Sequence, residues 1–124
     1  MEKGLTFTSK AAVTEALTAA ALGSGDMQVL ATPAMVALME NAAMNAVRPY
    51  LPDGSTTVGS MIQTTHLRPS ALGDEVEATA VLQEADGRKL TFKVSAADSK
   101  GVIGEGVHVR FIVDRARFLS KLKK

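Results

Sequence analysis

The chain has 124 residues, 46% hydrophobic and 22% charged, the balance of one soluble globular domain spanning 1–124. A net charge of +1, aromatic residues at 4% and no Trp supply neither the field nor the stacking platform for nucleic acid. There is no Cys, which excludes disulfides, thiolate metal sites and a Cys nucleophile. No stretch reaches membrane-spanning length and "MEKGLTFTSK" lacks a signal peptide's apolar run, so a cytoplasmic protein is expected.

"LTFTSKAAV" alternates loosely and predicts a first strand. Thr14 with Glu15 reads as a helix start, and "EALTAAALG" continues to Gly23, which suits a C-terminal cap. "GSGD" is a turn and "MQVLA" is extended. Thr32 as N-cap and Pro33 at the first helical position open a second helix, which runs to about Arg48 and ends before Pro49. "PYLPDGS" is loop. "STTVGSMIQTTHLRP" then places Val58, Ser60, Ile62, Thr64 and His66 on one strand face. "DEVEATAVLQEA", "RKLTFKVSAAD" and "GVIGEGVHVRFIVD" follow as strands joined by "DG" and "DSKG" hairpin turns. "RARFLSKLKK" is a solvated amphipathic tail.

This order implies an α+β fold: four meandering strands and the first one form an antiparallel sheet wrapped around the long helix. "ATPAMVALMENAAM" is apolar nearly all round, with only Glu40, Asn41 and Asn45 polar before Arg48. A sheet covers one helix face, so a homodimer, or a dimer of dimers, is expected to cover the other.

Glu40 sits among Met35, Val36, Met39, Ala43 and Met44. Burial there would disfavour its ionised form and make it a usable base or nucleophile. The plainer alternative is a Glu whose head reaches solvent or pairs with a cation. His66 is one of two histidines and points inward, where a lone His is more often a hydrogen-bonded core residue than a catalyst. His108, near Arg110, reads as a structural or surface His. Thr32 is most simply a cap, but a helix N-terminus also favours a developing oxyanion, with the Thr32 hydroxyl and the Ala34 N–H as donors. No metal-ligand spacing is present, and "GSGD" and "GVIGEG" are turns or strand irregularities, not phosphate loops.

"TPAMVALME", "VGSMIQTTHLRP" and "GVHVRFIVD" resemble the fluoroacetyl-CoA thioesterase-like family of the hot-dog superfamily, over nearly the whole chain. The resemblance implies a hot-dog fold and an acyl-CoA thioesterase. It also implies a catalytic set of a Thr at the helix start, a Glu eight residues on and a His on the next strand, which fall on Thr32, Glu40 and His66. The family's Gly and Arg fall on Gly59 and Arg110 as substrate-binding residues, and Ala34 is counted with them for its N–H at the helix start. Coenzyme A would enter as part of the substrate, with no metal or bound cofactor. The family's fluoroacetyl-specific member has an aromatic-rich lid, whereas "TEALTAAALGSGDMQVLA" has no aromatic residue. Many relatives also carry Glu where Val109 stands. A non-hydrolytic acyl-CoA-binding module and a hot-dog hydratase or dehydratase are the alternative readings.

Overall fold

The first strand, β1 (Thr6–Ala12), leads to a helical stretch that is broken where one continuous helix was expected. In the computed structural model, which describes residues 1–123, Glu15–Leu17 is a single 3₁₀ turn and α1 is only Ala19–Leu22. The cap belongs to Thr18, whose hydroxyl accepts the Ala21 N–H at 3.2 Å, and Thr14 makes no such bond. Thr18 is extended, so the helix restarts there and closes at Gly23, which has a φ of 73°.

The long helix, α2 (Thr32–Val47), is capped by Ala31 and not by Thr32, which moves Pro33 from the first to the second helical position. The Thr32 hydroxyl is thereby freed for a partner outside the helix. Met35, Met39, Ala42, Ala43, Ala46 and Val47 are its buried face. They pack on a core that includes Val76, Leu82, Leu90, Phe92 and Val94. Removing a side chain such as Phe92 from this core costs about 3–5 kcal/mol.

After a turn at Arg48–Tyr50 come β2 (Ser55–Thr64), β3 (Glu75–Asp86), β4 (Lys89–Asp98) and β5 (Gly101–Asp114). A short helix, α3 (Arg115–Ser120), lies in the basic tail. The sheet is antiparallel in the order β1-β3-β4-β5-β2, and it curls around α2 in the hot-dog arrangement. Only β3, β4 and β5 meander. The expected fourth meandering strand, β2, lies at the far edge beside β5, because the chain from Thr65 to Asp74 carries it back across to β3.

Two local features decide where β2 aims its side chains. The register slips between Gly59 and Met61, leaving Ser60 unpaired in a bulge. Thr57 and Gly59 therefore face inward before the slip, and Ile62 and Thr64 after it. Val58 and Ser60 belong to the other face, contrary to strict alternation. Beyond the strand, the Thr65 N–H donates to the Glu105 carbonyl at 3.0 Å and the Leu67 N–H to Ile103 at 2.6 Å. Of the two readings of "GVIGEG", turn or strand irregularity, the second holds: it is part of β5, whose register slips opposite Ala96 and Ala97. A side chain at Gly106 would strike the Gln63 carbonyl and Thr64, and one at Gly104 would strike the Thr65 carbonyl and Met35. These glycines let the chain cross close over β5 and carry His66 to the start of α2.

Candidate active site

His66 lies just past the end of β2 and reaches the first turn of α2. Its Nδ1 is 2.7 Å from the Thr32 hydroxyl, while its Nε2 is buried with no hydrogen-bond partner among the described residues. Burial holds the ring's pKa below the ordinary histidine value, outweighing the Arg68 backbone, which pulls the other way. The ring is therefore biased towards its neutral form, able to accept a proton from the hydroxyl. A cavity of about 320 Å³ opens beside the pair, walled by Met27, Val29, Leu30 and Leu67.

The same turn limits the choice of oxyanion donors. The Ala34 N–H donates to the Ala31 carbonyl at 3.0 Å, so the expectation of a free donor at Ala34 is corrected. Met35 donates to the same carbonyl at 3.1 Å, and Pro33 has no N–H. The Thr32 N–H is left without a backbone acceptor among the described residues.

Glu40 lies further along α2, in a second cluster. Its side chain is 42% exposed, so the helix does not bury it completely, and its Oε2 is 3.9 Å from Arg110 Nη1. Arg110 is buried on β5 and held on every side. Its Nε donates to the Thr57 hydroxyl at 2.8 Å and its Nη2 to the Thr57 carbonyl at 2.9 Å. Its Nη1 is also 3.2 Å from Nε2 of His108. Burial works against the guanidinium's charge, and the Glu40 carboxylate works for it.

Gly59 faces this cluster across β2. A Cβ there would stand 3.1 Å from Glu40 Oε2, 3.2 Å from His108 Cε1 and 3.4 Å from Arg110 Nη1. Its backbone is not left-handed, so space and not conformation calls for glycine. One chain thus brings Thr32 to His66, and Glu40 to Gly59 and Arg110. By helix geometry Thr32 and Glu40 are separated by about 12 Å of axial rise.

Sequence reasoning missed two members of the second cluster. Thr57 was hidden by the bulge, which reverses the parity of β2. His108, read as a structural or surface side chain, is 1% exposed and belongs to the cluster. Its spacing of two from Arg110 was the available signal, since alternate strand residues share a face. No group of three or more metal-ligating side chains occurs among the described residues, and no described helix is long and apolar enough to cross a membrane.

Comparison with known proteins extends this picture. The chain is 38% identical over 97 residues to the fluoroacetyl-CoA thioesterase of Streptantibioticus cattleyicolor, covering 78% of this chain and 70% of that one. A crystal structure of a phenylalanine-to-alanine variant of a fluoroacetyl-CoA-specific thioesterase superposes with a TM-score of 0.92 at 34% identity, covering 98% of this chain and 95% of the other. A thioesterase superfamily member from Thermus thermophilus gives 0.89 at 26% identity, over 97% and 89% of the two chains. Residues 13–116 match the family described as fluoroacetyl-CoA-specific thioesterase, and the chain belongs to that family.

Proposed function

We propose that this protein is an acyl-CoA thioesterase, hydrolysing the thioester of a small or medium acyl-CoA to free acid and coenzyme A. The observation that carries the reading is the pair of polar clusters on one apolar helix: Thr32 with His66 at its start, and Glu40 with Arg110 at its middle. Membership of a thioesterase family supports the reaction class.

The thioester carbonyl would lie at the start of α2, where the Thr32 N–H offers a hydrogen bond to the developing oxyanion while the single proton of the Thr32 hydroxyl is engaged by His66. Glu40 either activates a water that attacks the carbonyl carbon, or attacks it directly to give an acyl–Glu40 anhydride that water then hydrolyses to the free acid and Glu40. The C–S bond breaks, the thiolate takes up a proton, and His66 handles proton transfer or orients the reacting groups. Gly59 lets the substrate approach β2 closely, and Arg110 orients the carboxylate. Coenzyme A enters with the substrate, and the mechanism routes no step through a metal or bound cofactor.

The two clusters must meet for this chemistry, and a homodimer, or a dimer of such dimers, would bring them together. The free side of α2 supports this, because Ala37 is exposed and Val36, Leu38 and Met44 are half-buried in the single chain. A cytoplasmic setting belongs to the same proposal.

The test is release of free thiol from a panel of acyl-CoAs. Thiol release that disappears in Glu40→Gln is the expected result. Binding without thiol release would favour an acyl-CoA-binding module instead, and altered acyl-chain unsaturation with the thioester intact would favour a hydratase or dehydratase.

A further inference from the structure

His108 is buried beside the site, yet the reaction above gives it no part. Its Nδ1 is 2.8 Å from the Met61 carbonyl, next to the β2 bulge. A carbonyl only accepts, so the Nδ1 carries the proton. In the neutral ring Nε2 is then a bare acceptor, and the group 3.2 Å from it is Arg110 Nη1, which only donates. Burial, helped by the Arg110 charge, outweighs the Met61 hydrogen bond and the Glu40 charge and holds the His108 pKa below the ordinary histidine value, favouring this neutral ring.

Arg110 has three nitrogens, and each has an acceptor: Thr57 takes two of them, and His108 takes Nη1. The nitrogen that His108 engages is the one that faces Glu40. All three side chains converge on the space that the missing Cβ of Gly59 leaves open.

We propose that His108 is a positioning residue for the thioesterase reaction, using its bare Nε2 to hold Arg110 Nη1 towards Glu40 so that the carboxylate keeps one orientation. The inference rests on the thioesterase reading of this site. The competing account is that His108 only fills the core against Phe92, whose ring centroid is 6.3 Å away.

Two amides divide the functions of the imidazole. Asn has an N–H near the position of Nδ1 but no acceptor that reaches Arg110, whereas the longer Gln can offer its oxygen near the position of Nε2. His108→Asn is expected to lower kcat by roughly 10- to 100-fold with little change in KM, the scale of a misplaced catalytic group. His108→Gln should recover most of that loss. In an Arg110→Gln background His108→Asn should add less than about two-fold, because both changes break the same contact. Wild-type kcat in His108→Asn, equal losses in the Asn and Gln variants, or a full additional loss on top of Arg110→Gln would each overturn the proposal.

One measurement needs no variant. Imidazole ¹⁵N NMR of the wild-type protein at about pH 7 should find His108 neutral, with its proton on Nδ1. A proton on Nε2, or on both nitrogens, removes the acceptor and overturns the proposal. Glu40→Gln assayed in parallel separates the two possible failures. If it remains active, the site reading falls and this inference with it. If it is inactive while His108→Asn is unaffected, only this inference falls.

Discussion

The hydroxyl of Thr32 and Nδ1 of His66 stand 2.7 Å apart, although 34 positions separate the residues in the chain. A neutral ring can accept from that hydroxyl, and a protonated ring can only donate to it. Burial lowers the His66 pKa from 6.5, so the ring should stay neutral to more acidic pH than a free histidine does. The rate should therefore hold as pH falls through 6.5 and decline only below it. His66→Ala should fold and lose most of its activity. An active His66→Ala, or a rate already falling well above pH 7, would return His66 to a purely structural role.

Glu40→Gln keeps the shape of the side chain and removes its basicity. Since Glu40 is partly exposed and 3.9 Å from Arg110, the change should leave folding intact. Turnover should drop by about 10²- to 10⁴-fold, the usual scale for an acid–base group. Thermal melting and thiol release measured on the same preparation check both halves. A well-folded Glu40→Gln with near-wild-type kcat would end the proposed mechanism.

Gly59→Ala tests the space between the strand and the carboxylate. The added methyl would press on Glu40 Oε2 at 3.1 Å, and a flexible Glu side chain can move away more easily than backbone. The protein should fold, with a stability cost of no more than about 1–3 kcal/mol for local overpacking. The displaced carboxylate should then lower kcat by roughly 10- to 100-fold. If activity is unchanged, the carboxylate has no need of the geometry seen at Gly59.

Some of these relationships were legible in the sequence and others were not. Apolar periodicity located α2 and the hairpin strands, since burial on a sheet or helix face leaves a repeat of fixed length. β5 was read with its observed ends, Gly101 and Asp114. Parity failed on β2 because one unpaired residue, Ser60, reverses every side chain that follows it. The neighbours of β2 were also misjudged, as strand order depends on how a long connection travels and not on local pattern. Thr32 looked like a cap because its residue type favours that position, but its partner lies in the segment after β2. His108 could be placed on the face of Arg110, yet nothing local announced that the Met61 carbonyl and the guanidinium would claim its two nitrogens.

The segment before Thr32 bears on the choice of substrate. It forms only short helical turns, and to the cavity beside His66 it brings Met27, Val29 and Leu30 together with the polar Ser24 and Asp26. It contains no aromatic residue between Thr14 and Ala31. Apolar pockets without bulky closure distinguish small acyl groups weakly, by about 1–3 kcal/mol per methylene. Fluoroacetyl-CoA is therefore expected not to be preferred over acetyl- and longer acyl-CoAs. Measuring kcat/KM across that series decides the point, and a large preference for the fluoroacetyl thioester would show that selectivity needs no aromatic lid.

Within one chain the Thr32 and Glu40 clusters lie apart. Eight residues of helix separate Thr32 and Glu40 by about 12 Å of rise and turn them by about 80° about the axis. The proposed site needs both at one thioester, and the two-fold pairing of two antiparallel α2 helices would supply it. Thr32 of each chain would then approach Glu40 of the other, giving two identical shared sites. Co-expressing Thr32→Ala and Glu40→Gln subunits tests this, once each homodimer is found inactive. In a mixed dimer one site would carry both lesions and the other neither. Activity should reappear at up to about half the wild-type value per heterodimer. Purified heterodimers as inactive as their parents would mean that each site draws Thr32 and Glu40 from a single chain, and the shared-site arrangement would have to be abandoned.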